Sequence, residues 1–276
     1  MPSGKKSKQM RRAAQTKPPP VQSKGGVRRR QASPRVLIGA AGVVAVVAVV
    51  IVLAVVLGSG GGSGIPKGVP AVGSPTSAVA LPNSVDVEKL FKGIPQKGDV
   101  LGSPSAPVTM VEYIDLQCPV CQLFETTVMP DILKKYVRTG KVKVEVRTWA
   151  FIGPDSFRGQ AATLAAAKQD KAFEYAQLLY YNQGTENTGW LDDDMVAVDA
   201  ASIRGLHVRQ LVADRKSSAV KDQAATVDRQ AKADKVTGTP AIFVGRTGKK
   251  LTYVPLKNGA DKETLVLALD TAITGA

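Results

Sequence analysis

The chain contains two cysteines, Cys118 and Cys121, in the sequence Cys-Pro-Val-Cys. Such a pair can bind a metal, form a structural disulfide or carry out thiol–disulfide exchange. A structural zinc site usually needs four ligands, and the chain has one histidine, His207, and no second cysteine pair. A structural disulfide that closes so short a loop gives little loop-entropy stabilisation. The residue types and their spacing therefore favour thiol–disulfide chemistry.

The cysteine pair lies where a strand is expected to end and a helix to begin. Residues 108–116 are rich in Val, Tyr and Ile and predict a strand, whereas an apolar stripe from Cys118 to Val137 predicts a helix with a kink at Pro130. At a helix start, unpaired backbone N–H groups and the positive end of the helix dipole favour a thiolate over a thiol. We therefore expect a lowered pKa for Cys118, the attacking sulfur, and a more buried Cys121 that resolves the mixed disulfide.

The rest of the sequence predicts an α/β fold with helices inserted between strands. Residues 141–149 alternate between polar and apolar and predict a second strand, and helical patterns fill about 155–235. Strand patterns return at 241–244 and 251–254, and 261–273 predicts a closing amphipathic helix. A strand–helix–strand unit followed by a hairpin and a helix gives a mixed sheet covered by helices. The helical block is long enough to form an inserted subdomain.

The positive charge of the chain is concentrated at its N-terminus. The net charge is +14, but residues 1–35 contain eleven Lys or Arg and no Asp or Glu, which leaves +3 for the remainder. Such a tail can bind nucleic acid or mark the cytoplasmic side of a membrane. It lacks interleaved aromatic residues and contains three consecutive prolines. We interpret it as a disordered cytoplasmic tail and expect no nucleic-acid binding.

An apolar segment, residues 36–57, follows the basic tail and contains no charged residue in 22 positions. A helix of that length spans about 33 Å, enough to cross the hydrocarbon core. Because the Lys and Arg residues precede it, we expect a single-pass plasma-membrane anchor with a cytoplasmic N-terminus. A cleaved signal peptide is the alternative, although its apolar region is usually about 7–15 residues. Residues 58–84 predict a flexible linker to an extracytoplasmic domain over 85–276.

Two segments carry a family resemblance. The first is Gly98–Gln122, which ends in Val-Glu-Tyr-Ile-Asp-Leu-Gln-Cys-Pro-Val-Cys-Gln, and the second is Gly-Thr-Pro-Ala-Ile-Phe-Val at 238–244. With them, the chain resembles the DsbA-like branch of the thioredoxin superfamily over roughly residues 90–275. The resemblance implies a thioredoxin-like fold with an inserted helical subdomain and a redox-active disulfide between Cys118 and Cys121.

The resemblance also implies a substrate-binding surface. Pro240 matches a proline in cis configuration that faces the cysteines, so the backbone of Thr239 could hydrogen-bond an extended substrate strand beside Cys118. We place Val120 on the same surface. Strongly oxidising members often carry His at this position, and valine adds no positive charge. We therefore expect a less oxidising pair than those members have, whose reduction potential is about −120 mV.

A buried acid is the last element that the resemblance implies. Glu112 stands six residues before Cys118, where the family often has a carboxyl group beneath the active site. A carboxyl with a raised pKa could relay a proton to or from Cys121. The alternative is an exposed glutamate on an edge strand. Asp115 is closer in sequence but should point to the opposite face of the sheet.

These features predict a membrane-tethered enzyme that introduces disulfides into exported polypeptides. The resemblance implies that a membrane redox partner resets the cysteine pair, and we expect no metal and no cofactor. An extracytoplasmic reductase or isomerase remains an alternative within the enzymes. A non-catalytic thioredoxin-like interaction or chaperone domain is an alternative outside them, and a Cys118→Ser variant that kept its function would favour it. A copper metallochaperone is a further alternative.

The remaining polar and aromatic candidates have structural interpretations. We expect His207 to be a surface or capping residue. The acidic residues 192–194 could bind calcium, but acids at a helix N-terminus also oppose the helix dipole, and we favour capping. Trp149 and Trp190 should lie in the core or in a groove wall.

Overall fold

The computed structural model describes residues 65–275. The predicted cytoplasmic tail (1–35) and membrane anchor (36–57) lie outside the described residues. Between residues 65 and 275, no helix combines the length and the apolarity that a membrane crossing requires.

From β3 onward, the strands and helices follow one another in the order that the sequence predicts. The strands are β1 (Gln96–Lys97), β2 (Val100–Leu101), β3 (Val108–Ile114), β4 (Val142–Thr148), β5 (Ala241–Arg246) and β6 (Thr252–Val254). The helices are α1 (Ser84–Phe91), α2 (Pro119–Thr127), α3 (Met129–Ile132), α4 (Pro154–Ala167), α5 (Ala172–Tyr181), α6 (Asp193–Ala201), α7 (Val208–Asp214), α8 (Ser218–Ala233) and α9 (Lys262–Thr274), and a π-helical turn (Leu133–Val137) follows α3. The two-residue strands β1 and β2 were not predicted, because they are too short to show periodicity.

The strands form one mixed sheet in the order β1-β2-β4-β3-β5-β6. Strand β3 lies at its centre, parallel to β4 and antiparallel to β5. Because helices cover both faces at the centre, β3 is buried almost throughout, whereas β4 alternates between buried and partly exposed residues. The carboxyl ends of β3 and β4 and the start of β5 therefore meet at one edge, which is where the cysteine pair lies.

Helix α2 begins directly after the first cysteine. Cys118 is its N-cap in extended conformation and Pro119 is its first residue, a position where the missing proline N–H is not needed. The sequence predicted one kinked helix as far as Val137. The structure instead ends α2 at Thr127 and continues in α3 and the π-helical turn. Pro130 explains the break, because it cannot donate a backbone hydrogen bond to the preceding turn.

Helices α4 to α8 form the insertion between β4 and β5, where the sequence placed a helical subdomain at about 155–235. Its centre is α5, in which every residue from Ala172 to Tyr180 is buried. Helix α6 begins after Asp192, whose carboxylate accepts a hydrogen bond from the Met195 N–H at 2.8 Å. Asp192 is therefore an N-cap.

The prediction of a flexible linker over 58–84 is wrong for residues 65–83, the part of that range that the structure describes before α1. Residues 65–83 pack on the insertion, with backbone hydrogen bonds of 2.8 Å from Gly73 N to Leu206 O and from Ser74 N to Ala201 O. Val72 pairs with His207 in an isolated antiparallel bridge. A Cβ at position 73 would lie 2.2 Å from a carbonyl oxygen of the insertion, so this close approach requires glycine.

Helix α6 contains a fully buried carboxyl group, that of Asp199, whose oxygens have no hydrogen-bond partner among residues 65–275. Burial raises the pKa of Asp199 well above its ordinary value. The folded protein therefore retains a proton that the unfolded chain releases. The corresponding stability is complete below the ordinary carboxyl pKa and is lost as the pH rises toward the folded-state pKa.

We expect Asp199→Asn to remove this pH dependence. Relative to the wild type, the variant should gain up to about 1.4 kcal/mol of unfolding free energy per pH unit above the ordinary carboxyl range. Urea unfolding between pH 4 and 8 measures the difference, and Asp228→Asn, at an exposed position of α8, is the control. If the difference in unfolding free energy between the variant and the wild type stayed constant from pH 4 to pH 8, the Asp199 carboxyl would be ionised in the folded protein.

Candidate active site

The two cysteines lie on the first turn of α2 and are not joined by a disulfide in this structure. The Cys118 side chain is 6% exposed and that of Cys121 is 0% exposed. The backbone N–H of Cys121 donates to Cys118 Sγ at 3.4 Å, and Cys118 Sγ lies 3.3 Å from the carbonyl oxygen of Thr239. Cys118 is therefore the outer sulfur and faces the segment that precedes β5.

The pKa values of the two sulfurs are shifted in opposite directions. The hydrogen bond from the Cys121 thiol is the largest cause that lowers the pKa of Cys118, whereas burial of the sulfur raises this pKa. The Thr239 hydroxyl and the backbone N–H groups of Cys121 and Val120 lower it further. The resulting pKa of Cys118 is about 6. Burial raises the pKa of Cys121 well above its ordinary value, and the bond it donates to Cys118 raises it further. At neutral pH, Cys118 is therefore mostly thiolate and Cys121 remains a thiol.

The Thr239–Pro240 peptide bond is cis and lies directly before β5. Ala241, the first residue of β5, pairs with Tyr113 near the end of β3. Since α2 follows β3 after a short turn, this pairing places Thr239 beside the first turn of α2. The structure thus brings together Cys118, Cys121 and the Thr239–Pro240 segment, which are about 120 residues apart in the chain.

A pair of buried carboxyl groups lies on the two elements that flank the cysteine pair, β3 and α2. Glu112 on β3 is 1% exposed, Glu125 on α2 is 5% exposed, and their side chains hydrogen-bond each other. Each also has one oxygen without a hydrogen-bond partner among residues 65–275. Burial raises the pKa of both groups, and the negative charge of Glu112 raises that of Glu125 further. Because two buried carboxylates this close cannot both ionise, the pair retains a proton at neutral pH.

Glu125 was not identified from the sequence, although a signal was present. It follows Cys121 by four residues, so the two side chains lie on the same face of α2. That face points into the core, where a glutamate is unusual unless it has a partner. Burial raises the pKa of the Tyr180 hydroxyl well above its ordinary value, and its proximity to Cys121 and Glu125 raises it further.

The turn between β3 and α2 is fixed by Asp115, which is fully buried. Its carboxylate accepts hydrogen bonds from Gln117 N at 2.9 Å, Ser156 Oγ at 2.7 Å, Phe151 N at 3.0 Å and Ile152 N at 3.2 Å. These donors use its lone pairs fully. Asp115 therefore anchors the turn to the loop after β4.

The surface next to Cys118 is apolar. Val120 and Leu123 on α2 are each 42% exposed. Gly259 packs against them so closely that a Cβ would lie 2.5 Å from Val120 O. This surface and the Thr239–Pro240 segment flank Cys118 on two sides, so a polypeptide can reach the outer sulfur by contacting both.

Residues 96–254, more than half of the chain, match the sequence model of the thioredoxin family. The chain belongs to the thioredoxin family. It is 31% identical over 166 residues to a probable disulfide bond formation protein D of Bacillus cereus, an alignment that covers 59% of this chain and 77% of the relative. The structure is similar to oxidised BdbD from Bacillus subtilis, with a TM-score of 0.57, 23% identity and coverage of 66% and 98% of the two chains. It is also similar to Wolbachia pipientis alpha-DsbA1, with a TM-score of 0.56, 20% identity and coverage of 68% and 96%.

These comparisons confirm the thioredoxin-like fold with a helical insertion. Together with the relatives named for disulfide bond formation, they identify the chain as a thiol–disulfide oxidoreductase that forms disulfides.

Proposed function

We propose that this thioredoxin-family enzyme introduces disulfides into exported polypeptides from a membrane-anchored position outside the cytoplasm. The observation that carries the proposal is the opposite shift of the two sulfur pKa values beside an exposed apolar surface. The membrane anchor is residues 36–57, and the basic tail before them keeps the N-terminus in the cytoplasm.

The reaction begins with a Cys118–Cys121 disulfide. A substrate thiolate attacks Cys118 Sγ, the bond between the two enzyme sulfurs breaks, and Cys121 leaves and takes up a proton. A second substrate thiolate then attacks the substrate sulfur of the mixed disulfide and releases Cys118 as a thiolate. The substrate loses two electrons and forms its disulfide, while the enzyme becomes a dithiol. The low pKa of Cys118 makes it the better leaving group in the second step.

Thr239, Pro240 and Val120 bind the substrate in this proposal. An extended substrate strand that pairs with the Thr239 backbone brings its sulfur to Cys118, because Cys118 Sγ is 3.3 Å from Thr239 O. Val120 and its neighbour Leu123 offer an apolar contact to the flanking substrate side chains. Hydrogen bonds to the substrate backbone and a small apolar contact to its side chains place few demands on the substrate sequence. An enzyme that acts on many exported polypeptides requires such broad specificity.

The Glu112–Glu125 pair exchanges a proton with Cys121. Cys121 must gain a proton when it leaves and lose it when the enzyme is reoxidised, and burial keeps it away from solvent. A carboxyl pair that shares one proton can do both. Reoxidation transfers the two electrons of the dithiol to a redox partner in the membrane.

The experiment that tests the location and direction of the reaction uses intact cells that produce the full chain. We expect Cys118 and Cys121 to be oxidised and unreactive toward a membrane-impermeant maleimide until an impermeant reductant is added. In a Cys118→Ser/Cys121→Ser background, Ser7→Cys places a thiol in the basic tail and should react only after lysis. Cysteines that react without reductant would favour the reductase alternative, and cysteines that react only after lysis would overturn the extracytoplasmic location.

A further inference from the structure

The helical insertion donates hydrogen bonds to the turn that carries Cys118. The Tyr180 hydroxyl, at the end of α5, donates to Asp115 O at 2.9 Å. The side-chain amide of Gln183, two residues beyond α5, donates to Leu116 O at 2.7 Å and to Cys118 O at 3.3 Å. Three carbonyl groups between β3 and α2 are therefore oriented by one short segment of the insertion.

The direction of these carbonyl groups determines where the Cys118 sulfur lies. The Cys118 carbonyl also accepts the first helical hydrogen bond of α2, from Gln122 N at 3.0 Å. If this carbonyl rotates, the backbone angles of Cys118 change, and Sγ moves away from the N–H groups of Val120 and Cys121. The amide of Gln183 also places its positive end against the carbonyl oxygens of Leu116 and Cys118, close to the thiolate.

Gln183 is itself held in place by contacts outside the turn. Trp190 packs against the next residue, Gly184, where a Cβ would lie 2.6 Å from the indole ring. Further along the same loop, Asn187 N donates to the side chain of Gln117 at 2.7 Å, and Gln117 is fully buried. The loop is thus fixed at both ends, so the Gln183 amide is oriented before any substrate binds.

We propose that Gln183 is a positioning residue for thiol–disulfide exchange, which fixes the Cys118 carbonyl and so holds the sulfur over the N–H groups at the start of α2. The inference rests on the proposed role of Cys118 as the attacking sulfur. This role gives the helical insertion a function in catalysis, because a residue of the insertion helps to set the reactivity of the Cys118 sulfur.

The chain offers a matched control for this proposal. The side-chain amide of Gln122, on α2, donates to Tyr180 O at 2.9 Å. It joins the active-site helix to the end of α5 as the Gln183 amide does, but it contacts no carbonyl between Asp115 and Cys118. Gln183→Met and Gln122→Met each remove an amide donor at nearly constant side-chain length.

The experiment follows the thiolate absorbance of the reduced full chain between pH 4 and 10, together with its rate of reaction with a small aromatic disulfide. We expect a wild-type midpoint near 6. Gln183→Met should raise the midpoint and slow the reaction at pH 6 by about three- to tenfold, with recovery at pH 9 where the thiol is ionised in both proteins. Gln122→Met should keep the wild-type midpoint.

Equal midpoints for the wild type and both variants would overturn the proposal, even if both variants lowered the melting temperature. If Gln183→Met does not fold, Gln183→Glu preserves the side-chain shape while replacing the donor with an acceptor, and it should raise the midpoint as well. A wild-type protein that shows no thiolate below pH 8 would instead contradict the proposed role of Cys118.

Discussion

Cys118→Ser is expected to lower the rate of disulfide formation at least about a thousandfold, because the remaining cysteine, Cys121, is fully buried and stays a thiol. Cys121→Ser should also abolish turnover, but for a different reason. It leaves the Cys118 thiolate free to attack a disulfide and removes the thiol that would resolve the product. The two variants therefore distinguish an attacking sulfur from a resolving sulfur.

Two measurements on the purified full chain separate these outcomes. Oxidation of a dithiol peptide gives the turnover rate, and non-reducing electrophoresis after mixing with a disulfide-containing polypeptide detects the mixed disulfide. Cys121→Ser should accumulate it, whereas Cys118→Ser should not, since burial keeps Cys121 a thiol. Accumulation on Cys121 instead of Cys118 would reverse the assignment. Retained turnover in Cys118→Ser would favour the non-catalytic alternative.

The place of the cysteines in the fold could be predicted from the sequence because it depends on local signals. A Val-rich strand, a cysteine at the N-cap and Pro119 at the first helical position are all adjacent in the chain. Each of them is determined by backbone geometry over a few residues. The same reasoning led to the expected direction of the Cys118 pKa, since helix-start N–H groups act on the nearest sulfur.

The surroundings of the cysteines could not be predicted in the same way, because they come from distant segments. Gln183 reaches the Cys118 turn only through the path of the insertion, 65 residues along the chain. Glu125 lies on an apolar face that the periodicity assigned to the core, and its partner Glu112 belongs to a strand. Residues 65–83 have the composition of a linker, and their packing depends on close backbone approach at Gly73, for which sequence periodicity has no signal.

The buried carboxyl pair leads to the second large effect. In the double variant Glu112→Gln/Glu125→Gln, we expect Cys121 to attack a mixed disulfide on Cys118 about 10- to 100-fold more slowly at pH 7, because a positioned acid–base group is lost. The thiolate midpoint of Cys118 should stay near its wild-type value, since neither carboxyl is among the main causes of its lowered pKa. A slower attack by Cys121 with an unchanged Cys118 midpoint would therefore distinguish a role in proton transfer from a general loss of structure.

The measurement starts from enzyme carrying glutathione on Cys118. Cys121 attacks Cys118 Sγ, the enzyme disulfide forms, and glutathione leaves as a thiolate, so its release reports the deprotonation of Cys121 in a single turnover. In the double variant, the logarithm of the rate should rise by about one per pH unit, because hydroxide must remove the proton. In the wild type, the release rate should depend less steeply on pH over the range in which the carboxyl pair can accept the Cys121 proton.

Stability provides the independent check on this pair. Burial raises the pKa of both carboxyl groups, so their contribution to stability is complete at acid pH and is lost as the pH rises toward the folded-state values. The double variant should therefore be relatively more stable at alkaline pH, although it is slower.

Glu174→Gln, at a buried glutamate that pairs with Lys171 on the insertion, is the matched control and should leave the release rate unchanged. Parallel pH profiles for the wild type and the double variant would show that Cys121 loses its proton directly to solvent, and the carboxyl pair would then have no part in proton transfer.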